Sequence, residues 1–489
     1  MKNKKRTVLA LDLGRSAGRA VLADYENESL KTEEIYKFPI EPVACQGELY
    51  WNILGIFQEI KYALRKAAGY GGFDSVGIDA WGADYALIDR RGALLGNPVK
   101  YQNTGTENFL REAEKFISPD RLHLLTGCGI RPENTVFRLL QQKINAPELL
   151  TQAQAFLLMP DLFAYLLTGD ISSELSIAGT TQLCSPYSGG WSGEMIKALG
   201  LPEHIFPAMA QTGTVKGMLS EEICRELEIN SVPVIAVCGH NIQCAAAAVP
   251  ALDQKSYAFL HCDTQAVLGT ELSHMIINAE TASAGISNTI GLEHKILFDK
   301  PITGTGLLHE VRQALKKQGK DYQSYDLEKL AESAESCQRF IDIAAPAFSS
   351  SEELLVKFRD WCSESGQPAP ADIADILRAV YESLACRFRE VLEELQACSG
   401  QKFEKLYLLG EGVKDRLLCQ LTADACQIPV CTGAETASAY GNAMIQLIVS
   451  GAVPDLFEAR WLTAKAVRSR TYQPQNPELY HCYQEIFHP

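Results

Sequence analysis

The sequence predicts an α/β protein built of two domains, and three observations lead to this prediction. Strand-like apolar runs alternate with amphipathic helical stretches along the whole chain, which is typical of α/β folds. A chain of 489 residues is also too long for a single hydrophobic core. A strand, a polar turn and a second strand occur near the N-terminus and again near the middle. This indicates two halves of similar plan, although coincidence explains the pattern about equally well.

The elements follow from the spacing of the apolar residues. Over 372–398 these residues recur at three- and four-residue steps, which predicts a long helix with one buried face. The predicted strands are 8–13, 20–24, 75–79, 86–89, 232–238, 256–261, 266–271 and 405–409. The predicted helices are 53–68, 110–117, 371–398 and 438–450, with a short Ala-rich helix at 244–249. We expect the domains to divide in that short helix, as 1–245 and 246–489.

Charge and composition exclude several classes of protein. Hydrophobic residues make up 46% of the chain and charged residues 21%, as in globular proteins rather than disordered ones. The formal net charge of -15 repels phosphate backbones, and only the N-terminal tail is locally basic. We therefore expect no nucleic-acid partner. No apolar run is long enough to span a bilayer, so we expect no membrane partner either.

The N-terminus and the cysteines bear on the cellular location. The apolar stretch 7–12 is short and ends in a charge, so it predicts a buried strand rather than a signal peptide. The 15 cysteines are scattered, without a Cys-x-x-Cys pair or a His/Cys cluster at zinc spacing, so reduced thiols are expected. We predict a cytoplasmic protein.

The first polar turn follows a strand that ends in Asp12. Asp12 could hold a magnesium ion through water, because Mg²⁺ bound to phosphate takes few carboxylate ligands. The turn combines glycines, which let backbone N–H groups approach an anion, with side-chain donors. These residues are Gly14, Arg15, Ser16, Gly18 and Arg19. An ordinary hairpin turn with a solvated charge is the alternative interpretation.

A second candidate site begins at the end of the strand 75–79. Two carboxylates, a Trp and a glycine follow one another as Asp79, Trp81, Gly82 and Asp84. An aromatic face beside carboxylates suits a polyol, which offers C–H faces for stacking and hydroxyls for charged acceptors. A buried Trp with surface carboxylates is an equally good interpretation.

Three further segments lie where α/β sheets place ligand-binding groups. His240 and Asn241 follow the strand 232–238 and precede the Ala-rich helix. A helix N-cap at Asn241 with a structural His240 explains the same residues. The segment 408–413 is a strand running into a glycine turn, and 435–441 begins a helix with small residues, as close packing or a flat ligand would require.

Together these segments resemble the FGGY family of carbohydrate kinases, and most of all its rhamnulokinase branch, in the same order over nearly the whole chain. The matching positions are Asp12-Leu-Gly14, Ser16, Gly18-Arg19, Gly77-Ile-Asp79, Trp81-Gly82, Asp84, Asn134-Thr135, Leu158-Met-Pro-Asp161, Leu167-Thr-Gly169, Thr180-Thr-Gln-Leu183, His240, Thr264, Ala423-Asp-Ala-Cys426 and Gly441-Asn442.

The resemblance implies two actin-like, ribonuclease H-like domains with a cleft between them. The first domain would bind mainly the sugar and the second mainly adenosine. The reaction implied is transfer of the ATP γ-phosphoryl group to a hydroxyl of a (deoxy)ketose, with ATP and Mg²⁺ as cofactors. The partners would be a small-molecule sugar and a nucleotide, and a homodimer is left open.

The resemblance also assigns roles to residues. The two hairpin turns, the second of which contains Thr264, would approach the phosphates. Gly410 and Gly412 would lie against the nucleotide, and Asp12 would hold Mg²⁺ through water. The sugar would be bound by Asp79, Trp81, Gly82, Asp84 and His240.

The chain departs from the family pattern at the positions that carry chemistry. The family has an Asp, which takes the hydroxyl proton, where this chain has Asn241, and a neutral amide cannot act as that base. Asp263 and Glu411 stand in place of glycines in the phosphate turn and the adenosine motif, and they add negative charge there. The sugar-side Tyr-Arg-Asp pattern appears as Tyr101-Gln102-Asn103.

We therefore predict a rhamnulokinase-like sugar kinase with reduced or lost activity. One alternative is a catalytically inactive homologue that binds a sugar as a sensor, partner or scaffold. Another is an active kinase with a shifted substrate and a different base, for which Asp79 and Asp84 are candidates.

Overall fold

The structure is a computed structural model that describes residues 5–101, 106–253, 255–348 and 353–487. The described residues pack into two compact units. Unit 1 draws on Met1–Ala248, Glu271–Phe298 and Ala437–Ala466, and unit 2 on Val249–Thr270, Asp299–Thr436 and Val467–Pro489. Each unit is thus assembled from separate stretches of the chain. The division into continuous domains 1–245 and 246–489 stays a prediction.

Strands and helices alternate along the chain, which confirms the α/β class. The strands are β1 Arg6–Leu13, β2 Ala17–Glu26, β3 Ser29–Pro39, β4 Pro42–Cys45, β5 Glu48–Trp51, β6 Ser75–Ala80, β7 Tyr85–Asp89, β8 Ala153–Leu158, β9 Ser172–Glu174, β10 Cys184–Ser185, β11 Gly190–Trp191, β12 Ala208–Ala210, β13 Thr214–Met218, β14 Pro233–Ala236, β15 Tyr257–Cys262, β16 Gln265–Leu272, β17 Ser287–Ile290, β18 Ile296–Thr303, β19 Lys405–Leu409, β20 Val430–Thr432 and β21 Thr471–Tyr472.

The helices are α1 Ile53–Gly69, α2 Thr106–Glu114, α3 Pro119–Thr126, α4 Thr135–Asn145, α5 Pro147–Gln152, α6 Met159–Thr168, α7 Leu175–Gly179, α8 Gly193–Ala198, α9 Glu221–Leu227, α10 Asn241–Ala247, α11 Ala279–Ser283, α12 Gly306–Lys317, α13 Ser324–Ser333, α14 Leu354–Glu364, α15 Ile373–Ser399, α16 Arg416–Cys426, α17 Ala437–Val449, α18 Leu456–Ala466 and α19 Leu479–Phe487. Short 3-10 helices lie at Glu203–Ile205, Leu292–His294, Pro346–Phe348 and Glu411–Lys414. Across the described ranges, every helix is too short or too polar to cross a membrane.

The predicted elements fall on observed ones, with shifted ends. Helix α15 begins after Asp372, whose carboxylate accepts two backbone N–H groups of the first turn, and it ends at the left-handed Gly400. The predicted helix 110–117 extends too far, because α2 stops at Glu114. Helix α10 begins three residues before the predicted start, because the side chain of His240 caps it.

The first sheet has the strand order β13-β14-β6-β1-β2-β3. Strands β1 and β2 form the predicted hairpin, antiparallel with Asp12 opposite Arg19. Strand β6 runs parallel to β1 on one side and to β14 on the other. The carboxyl ends of β1, β6 and β14 therefore lie at one edge of this sheet.

The second sheet contains the strands β18-β16-β15-β19-β20-β21 in that order. Here β15 and β16 form the hairpin, while β15, β19 and β20 are parallel. Each sheet ends with an antiparallel strand, β13 beside β14 and β21 beside β20. The two sheets thus share one strand plan, so the repeat indicated by the two hairpins is a true feature of the fold.

Helix α17 covers one face of the first sheet and packs against α10, both within unit 1. Its apolar residues meet those of β1 and β2 in a single buried cluster. The closest approach of the two helices is at Gly441, where a Cβ atom would lie 1.7 Å from the carbonyl oxygen of Cys244. The small residue that the sequence places here is therefore required by packing.

We expect Gly441→Ala to lower the free energy of unfolding by about 2–3 kcal/mol, because the added methyl group forces α10 and α17 apart. Thermal unfolding followed by circular dichroism measures the effect. Gly193→Ala is the matched control, since Gly193 begins α8 with nothing within 4 Å of the new methyl group, and it should change the midpoint little. Equal midpoints for the two variants would contradict this account of α17.

Candidate active site

The candidate residues of unit 1 gather where three parallel strands end. The register of β1 and β6 pairs Asp12 with Asp79, so the two carboxylates are neighbours. At the next position, the N–H of Ala80 donates to the carbonyl oxygen of Gly239 at 2.8 Å, which ties the end of β6 to the segment that follows β14. The structure therefore brings Asp12, Asp79 and His240 to the same edge of the sheet.

Polar side chains along one face of α17 donate hydrogen bonds to the two carboxylates. Ser438 Oγ donates to Asp12 Oδ2 at 2.7 Å, and Asn442 Nδ2 donates to Asp79 Oδ1 at 2.6 Å. One turn further, Gln446 Nε2 donates to the carbonyl oxygen of Leu9 at 3.0 Å. Sequence reasoning missed Ser438 and Gln446. The signal was present, because three polar residues at i, i+4 and i+8 interrupt an otherwise apolar helix.

Burial and like charge act together on Asp79. Its side chain is fully buried, and burial followed by the neighbouring Asp12 carboxylate raises the pKa of Asp79 well above its usual range, against the hydrogen bond from Asn442. Among the described residues, Asp79 Oδ2 accepts no hydrogen bond. A proton on that oxygen would let it donate to Asp12. The two carboxylates therefore form a pair that favours holding one proton between them.

Asp84 is saturated by its neighbours. Its Oδ2 accepts the indole N–H groups of Trp51 at 2.8 Å and Trp81 at 2.9 Å. Its Oδ1 accepts the backbone N–H of Tyr101 at 3.1 Å and pairs with the guanidinium of Arg138. These four donors use the four lone-pair positions of a carboxylate. Asp84 is thus suited to hold its neighbours in place and poorly suited to act as a base.

The two Trp rings are packed together inside unit 1. Their centroids lie 4.7 Å apart, and Trp81 is only 3% exposed. A sugar could stack on Trp81 only if this pair of rings opened, so the stacking role stays a prediction. Trp51 and Arg138 were not identified from the sequence, because they lie far from Asp84 in the chain and only the fold brings them together.

The segment after β14 is held tightly. His240 is the N-cap of α10, and its Nδ1 accepts the N–H of Ile242 at 3.2 Å, so the cap is His240 and not Asn241. Its ring lies against Gly82, where a Cβ atom would be 2.9 Å away. Asn241 is the first residue of α10 and is half-buried. Gly82, His240 and Asn241 are therefore the predicted site residues that keep exposed surface at this edge.

The first hairpin turn is compact. The Gly14 N–H donates to the carbonyl oxygen of Ala17 at 2.9 Å, and Arg15 and Ser16 are exposed. Gly18 is buried, and a Cβ atom there would lie 2.2 Å from the ring of Phe38. Packing against Phe38 thus by itself requires a glycine at this position. Arg19, on β2, lies 3.8 Å from the carboxylate of Glu34, and anion binding by this turn stays a prediction.

In unit 2 the turn after β15 is tied to the glycine turn after β19. Asp263 Oδ1 accepts the N–H of Glu411 at 2.7 Å, and Oδ2 lies 3.8 Å from His261 Nε2. The main-chain oxygen of Asp263 accepts the N–H of Thr305 at 2.8 Å. The backbone N–H of Glu411 is therefore already hydrogen-bonded to the Asp263 carboxylate. Thr264 is exposed beside it.

The two glycines of the later turn are buried against the earlier one. A Cβ atom on Gly410 would lie 2.6 Å from Asp263 Oδ1, and one on Gly412 would lie 3.0 Å from Cys262 Cβ. Packing alone thus requires both glycines, and their role in nucleotide binding stays a prediction. Of the sugar-side positions, Gln102 and Asn103 lie outside the described residues.

Asp12 and Asp79 fit a magnesium ion in number and type. Mg²⁺ prefers oxygen ligands and usually takes one or two carboxylates beside its waters. Asp12 and Asp79 are register neighbours, and Asp79 Oδ2 accepts no hydrogen bond from the described residues. Within the part of the chain that the structure describes, no group of three or more His, Cys, Asp or Glu side chains could hold a metal by itself. A cation here would therefore depend on water and phosphate oxygens for its remaining ligands.

We expect Asp84→Asn to lower the free energy of unfolding by about 3–5 kcal/mol, because it leaves the buried Arg138 without a counter-charge and turns an amide N–H towards a donor. Urea unfolding followed by Trp fluorescence measures this. Glu194→Gln removes the charge from an exposed ion pair with Arg121 and should cost less than about 1 kcal/mol. A similar small cost for Asp84→Asn would show that Asp84 does not organise this region.

Asp79→Asn should gain stability relative to the parent as pH rises. Because the folded pKa of Asp79 is raised, the folded state keeps a proton that the unfolded state has lost, so the parent loses stability between the unfolded pKa, about 3.9, and the folded pKa. Asparagine does not titrate. The difference in free energy of unfolding between Asp79→Asn and the parent should therefore change with pH. The change is about 1.4 kcal/mol for each pH unit that lies between the unfolded and the folded pKa of Asp79.

Urea unfolding at pH 5 and pH 8 tests this. Asp253→Asn is the control, because the hydrogen bond from Lys405 lowers the pKa of Asp253 and both its states are ionised in that range. Its difference from the parent should stay constant. A constant difference for Asp79→Asn as well would mean that Asp79 is ionised in the folded protein at pH 5.

Known proteins resemble this chain over most of its length. The N-terminal domain of the FGGY family of carbohydrate kinases matches residues 7–248, and its C-terminal domain matches residues 258–450. A rhamnulokinase of Bacteroides thetaiotaomicron is 34% identical over 476 residues, which cover 96% of this chain and 96% of the relative. A rhamnulokinase of Enterococcus faecalis is 31% identical over 474 residues, which cover 96% and 94%.

The fold agrees as well. A gluconate kinase from Lactobacillus acidophilus superposes with a TM-score of 0.81 at 17% identity, covering 99% of this chain and 96% of that chain. The predicted two-domain α/β fold of the actin-like type is thereby confirmed. Matches to both family domains, and relatives above 30% identity over almost the whole length, lead to one conclusion: the chain belongs to the FGGY family of carbohydrate kinases.

Proposed function

We propose that this protein is a rhamnulokinase-like sugar kinase that transfers the γ-phosphoryl group of ATP to a hydroxyl of a (deoxy)ketose, with strongly reduced or lost activity. Support for the reaction class comes from the family and from relatives named rhamnulokinase. Sugar and nucleotide are the expected partners, a cytoplasmic location suits such an enzyme, and a homodimer stays open.

The roles proposed for unit 1 follow from its geometry. Gly82 and His240 line the exposed part of the edge and would contact the sugar, while the buried Asp84 would hold the surrounding segments. Asp12 and Asp79 would hold Mg²⁺, which would neutralise charge on the phosphates when bound. The first hairpin turn, with the exposed Arg15 and Ser16, would meet the phosphates.

The proposal of reduced activity rests on the presence of Asn241 at the candidate base position. Phosphoryl transfer forms a bond between the sugar oxygen and the γ-phosphorus, breaks the bond from that phosphorus to ADP, and releases the hydroxyl proton to a base. Asn241 stands at the N-terminus of α10, beside His240, at the position where the family has that base. An amide has no site of sufficient basicity, and a positioned base contributes about 10²–10⁴-fold.

Unit 2 supports the same conclusion. A phosphate approaching the turn after β19 would compete with the Asp263 carboxylate for the N–H of Glu411. It would also meet like charge, which costs about 1 kcal/mol at 4 Å in water and about 4 near the protein surface. These contacts favour weak nucleotide binding.

Two alternatives have different support. An inactive homologue that binds a sugar as a sensor, partner or scaffold is favoured by the occupied N–H of Glu411 together with Asn241. For an active kinase with a relocated base, Asp79 is a better candidate than Asp84, because the lone pairs of Asp84 are already taken by Trp51, Trp81, Tyr101 and Arg138.

Turnover on L-rhamnulose with MgATP should be far below that of an ordinary sugar kinase, and stepwise reversion should restore it. Asp263→Gly with Glu411→Gly frees a backbone donor and removes two negative charges, so ATP affinity measured by calorimetry should rise. Asn241→Asp alone should recover little, since contributions within one catalytic unit are not additive. Together the three changes should give measurable phosphoryl transfer in an ADP-release assay.

Asn241→Ala in the same double background is the control, and it should stay inactive. Two results would contradict the proposal. Micromolar ATP affinity in the unmodified protein would show that Asp263 does not weaken nucleotide binding. Ordinary turnover in the unmodified protein that Asn241→Ala leaves unaffected would show that the base lies elsewhere.

A further inference from the structure

A buried carboxylate behind the candidate base position receives an unusual number of hydrogen bonds. Glu174, at the end of β9, is 2% exposed. Its Oε1 accepts the N–H of Ser176 at 2.9 Å and the hydroxyl of Thr212. Its Oε2 accepts the hydroxyl of Ser176 at 2.6 Å, the N–H of Ile177 at 3.1 Å and the N–H of Gly239 at 2.8 Å. Each oxygen therefore holds at least one backbone N–H group.

The contact with Gly239 links Glu174 to the site. Gly239 directly precedes His240 and Asn241, and its carbonyl oxygen accepts the N–H of Ala80 at the end of β6. A Cβ atom on Gly239 would lie 3.0 Å from Glu174 Oε2. The N–H and the carbonyl oxygen of Gly239 are thus both held, the N–H by this carboxylate and the carbonyl oxygen by the end of β6.

Glu174 is itself held by a buried ion pair. Asp161 Oδ1 accepts the backbone N–H of Glu174 at 3.0 Å and the ammonium of Lys216 at 2.6 Å, and Lys216 Nζ also donates to the carbonyl oxygen of Ser172 at 2.9 Å. The side chains of Asp161 and Lys216 are 1% and 3% exposed. Burial raises the pKa of Asp161 to about 6, although the charge of Lys216 and its hydrogen bond act in the opposite direction.

These groups surround a small internal space. A cavity of about 10 Å³ is lined by Asp161, Glu174, Lys216 and Gly239, among others. That volume is at the lower limit of what can hold one water molecule. Within the described part of the chain, Asp161 Oδ2 accepts no hydrogen bond. The network therefore reaches from the edge strand β13 to the segment that carries Asn241 without passing through an apolar layer.

Stability alone does not explain such a network. A buried ion pair contributes little net stability, since apolar residues of similar volume often serve as well. Its geometry, by contrast, fixes the position of every group it contacts. The segment Gly239–Asn241 is the part of unit 1 where a small displacement would matter most for a bound sugar hydroxyl.

We propose that Glu174 is a positioning residue for the Gly239–Asn241 segment, and that the Asp161–Lys216 pair holds Glu174 in that role. Glu174 touches no substrate; it sets where His240 and Asn241 stand when the sugar hydroxyl binds. The part of the proposal that concerns sugar rests on the proposed function.

Glu174→Gln tests the proposal in the full chain at pH 7.5. Glutamine has the same shape, but its amide N–H groups must face at least one of the backbone N–H groups that Glu174 now accepts. Thr212→Val is the matched control, because it removes one donor to Oε1 and leaves the Gly239 contact intact. Two readouts are used: calorimetric titration with L-rhamnulose, and the ring NMR signals of His240, assigned with His240→Gln.

Glu174→Gln should weaken L-rhamnulose binding about tenfold and shift the His240 ring signals, whereas Thr212→Val should change binding by less than about twofold. If Glu174→Gln does not fold, Ser176→Ala carries the test with a smaller shift of the same kind, because it removes the hydroxyl that donates to Glu174 Oε2. Unchanged binding and unchanged His240 signals in a folded Glu174→Gln protein would overturn the proposal, as would equal effects of Glu174→Gln and Thr212→Val.

The two proposals can fail separately. If the parent does not bind L-rhamnulose, the sugar preference under the proposed function is wrong, and the His240 signals alone decide the positioning role. If the parent binds L-rhamnulose and the His240 signals do not respond to Glu174→Gln, the positioning role is wrong and the sugar site stands.

Discussion

Two carboxylates stand side by side because β1 and β6 run parallel in a register that pairs Asp12 with Asp79. Two ionised carboxylates 4 Å apart would repel by about 4 kcal/mol near a protein surface and by more when buried. The pair therefore favours holding one proton, and it needs hydrogen-bond donors from the rest of unit 1. Helix α17 supplies them with Ser438 and Asn442, one turn apart. It comes close enough only because Gly441 lets it lie against the backbone of α10. Two carboxylates that one strand register brings together are thus bonded by a helix 426 and 363 residues further along the chain.

Framework and chemistry are carried by different residues at this edge of the sheet. Asp84 and Glu174 have all their oxygens engaged by donors from elsewhere in unit 1, and such saturated groups hold segments in place. Under the proposed function, Asn241 and, in unit 2, Asp263 stand where a base and a glycine are expected from the resemblance to the family. Substitutions of the second kind leave the first kind untouched. Under the proposed function, the reaction can therefore be lost while the fold is kept.

Much of the fold could be predicted from local pattern, because apolar runs ending in Asp12 and Asp79 read as strands that deliver a charge to their ends. The partners of Asp12 and Asp84 could not, because Ser438 reaches Asp12, and Trp51 and Arg138 reach Asp84, only through tertiary packing. Gly18 illustrates the limit. The sequence predicts that it opens space for an anion, whereas its Cβ position is taken by the ring of Phe38. A pattern shows that a small residue is needed, and the neighbours that need it come from the fold.

Unit 1 is completed by residues from late in the chain. Its helices α17 and α18 come from Ala437–Ala466, after most of unit 2 has been made. At about 5–20 residues per second, a ribosome takes tens of seconds to pass from Asp79 to Asn442. During that interval the nascent chain carries an uncovered apolar sheet face and two carboxylates without their helix partners. The nascent protein is therefore accessible to proteases and chaperones on the sheet face that α17 later covers, beside Asp12 and Asp79.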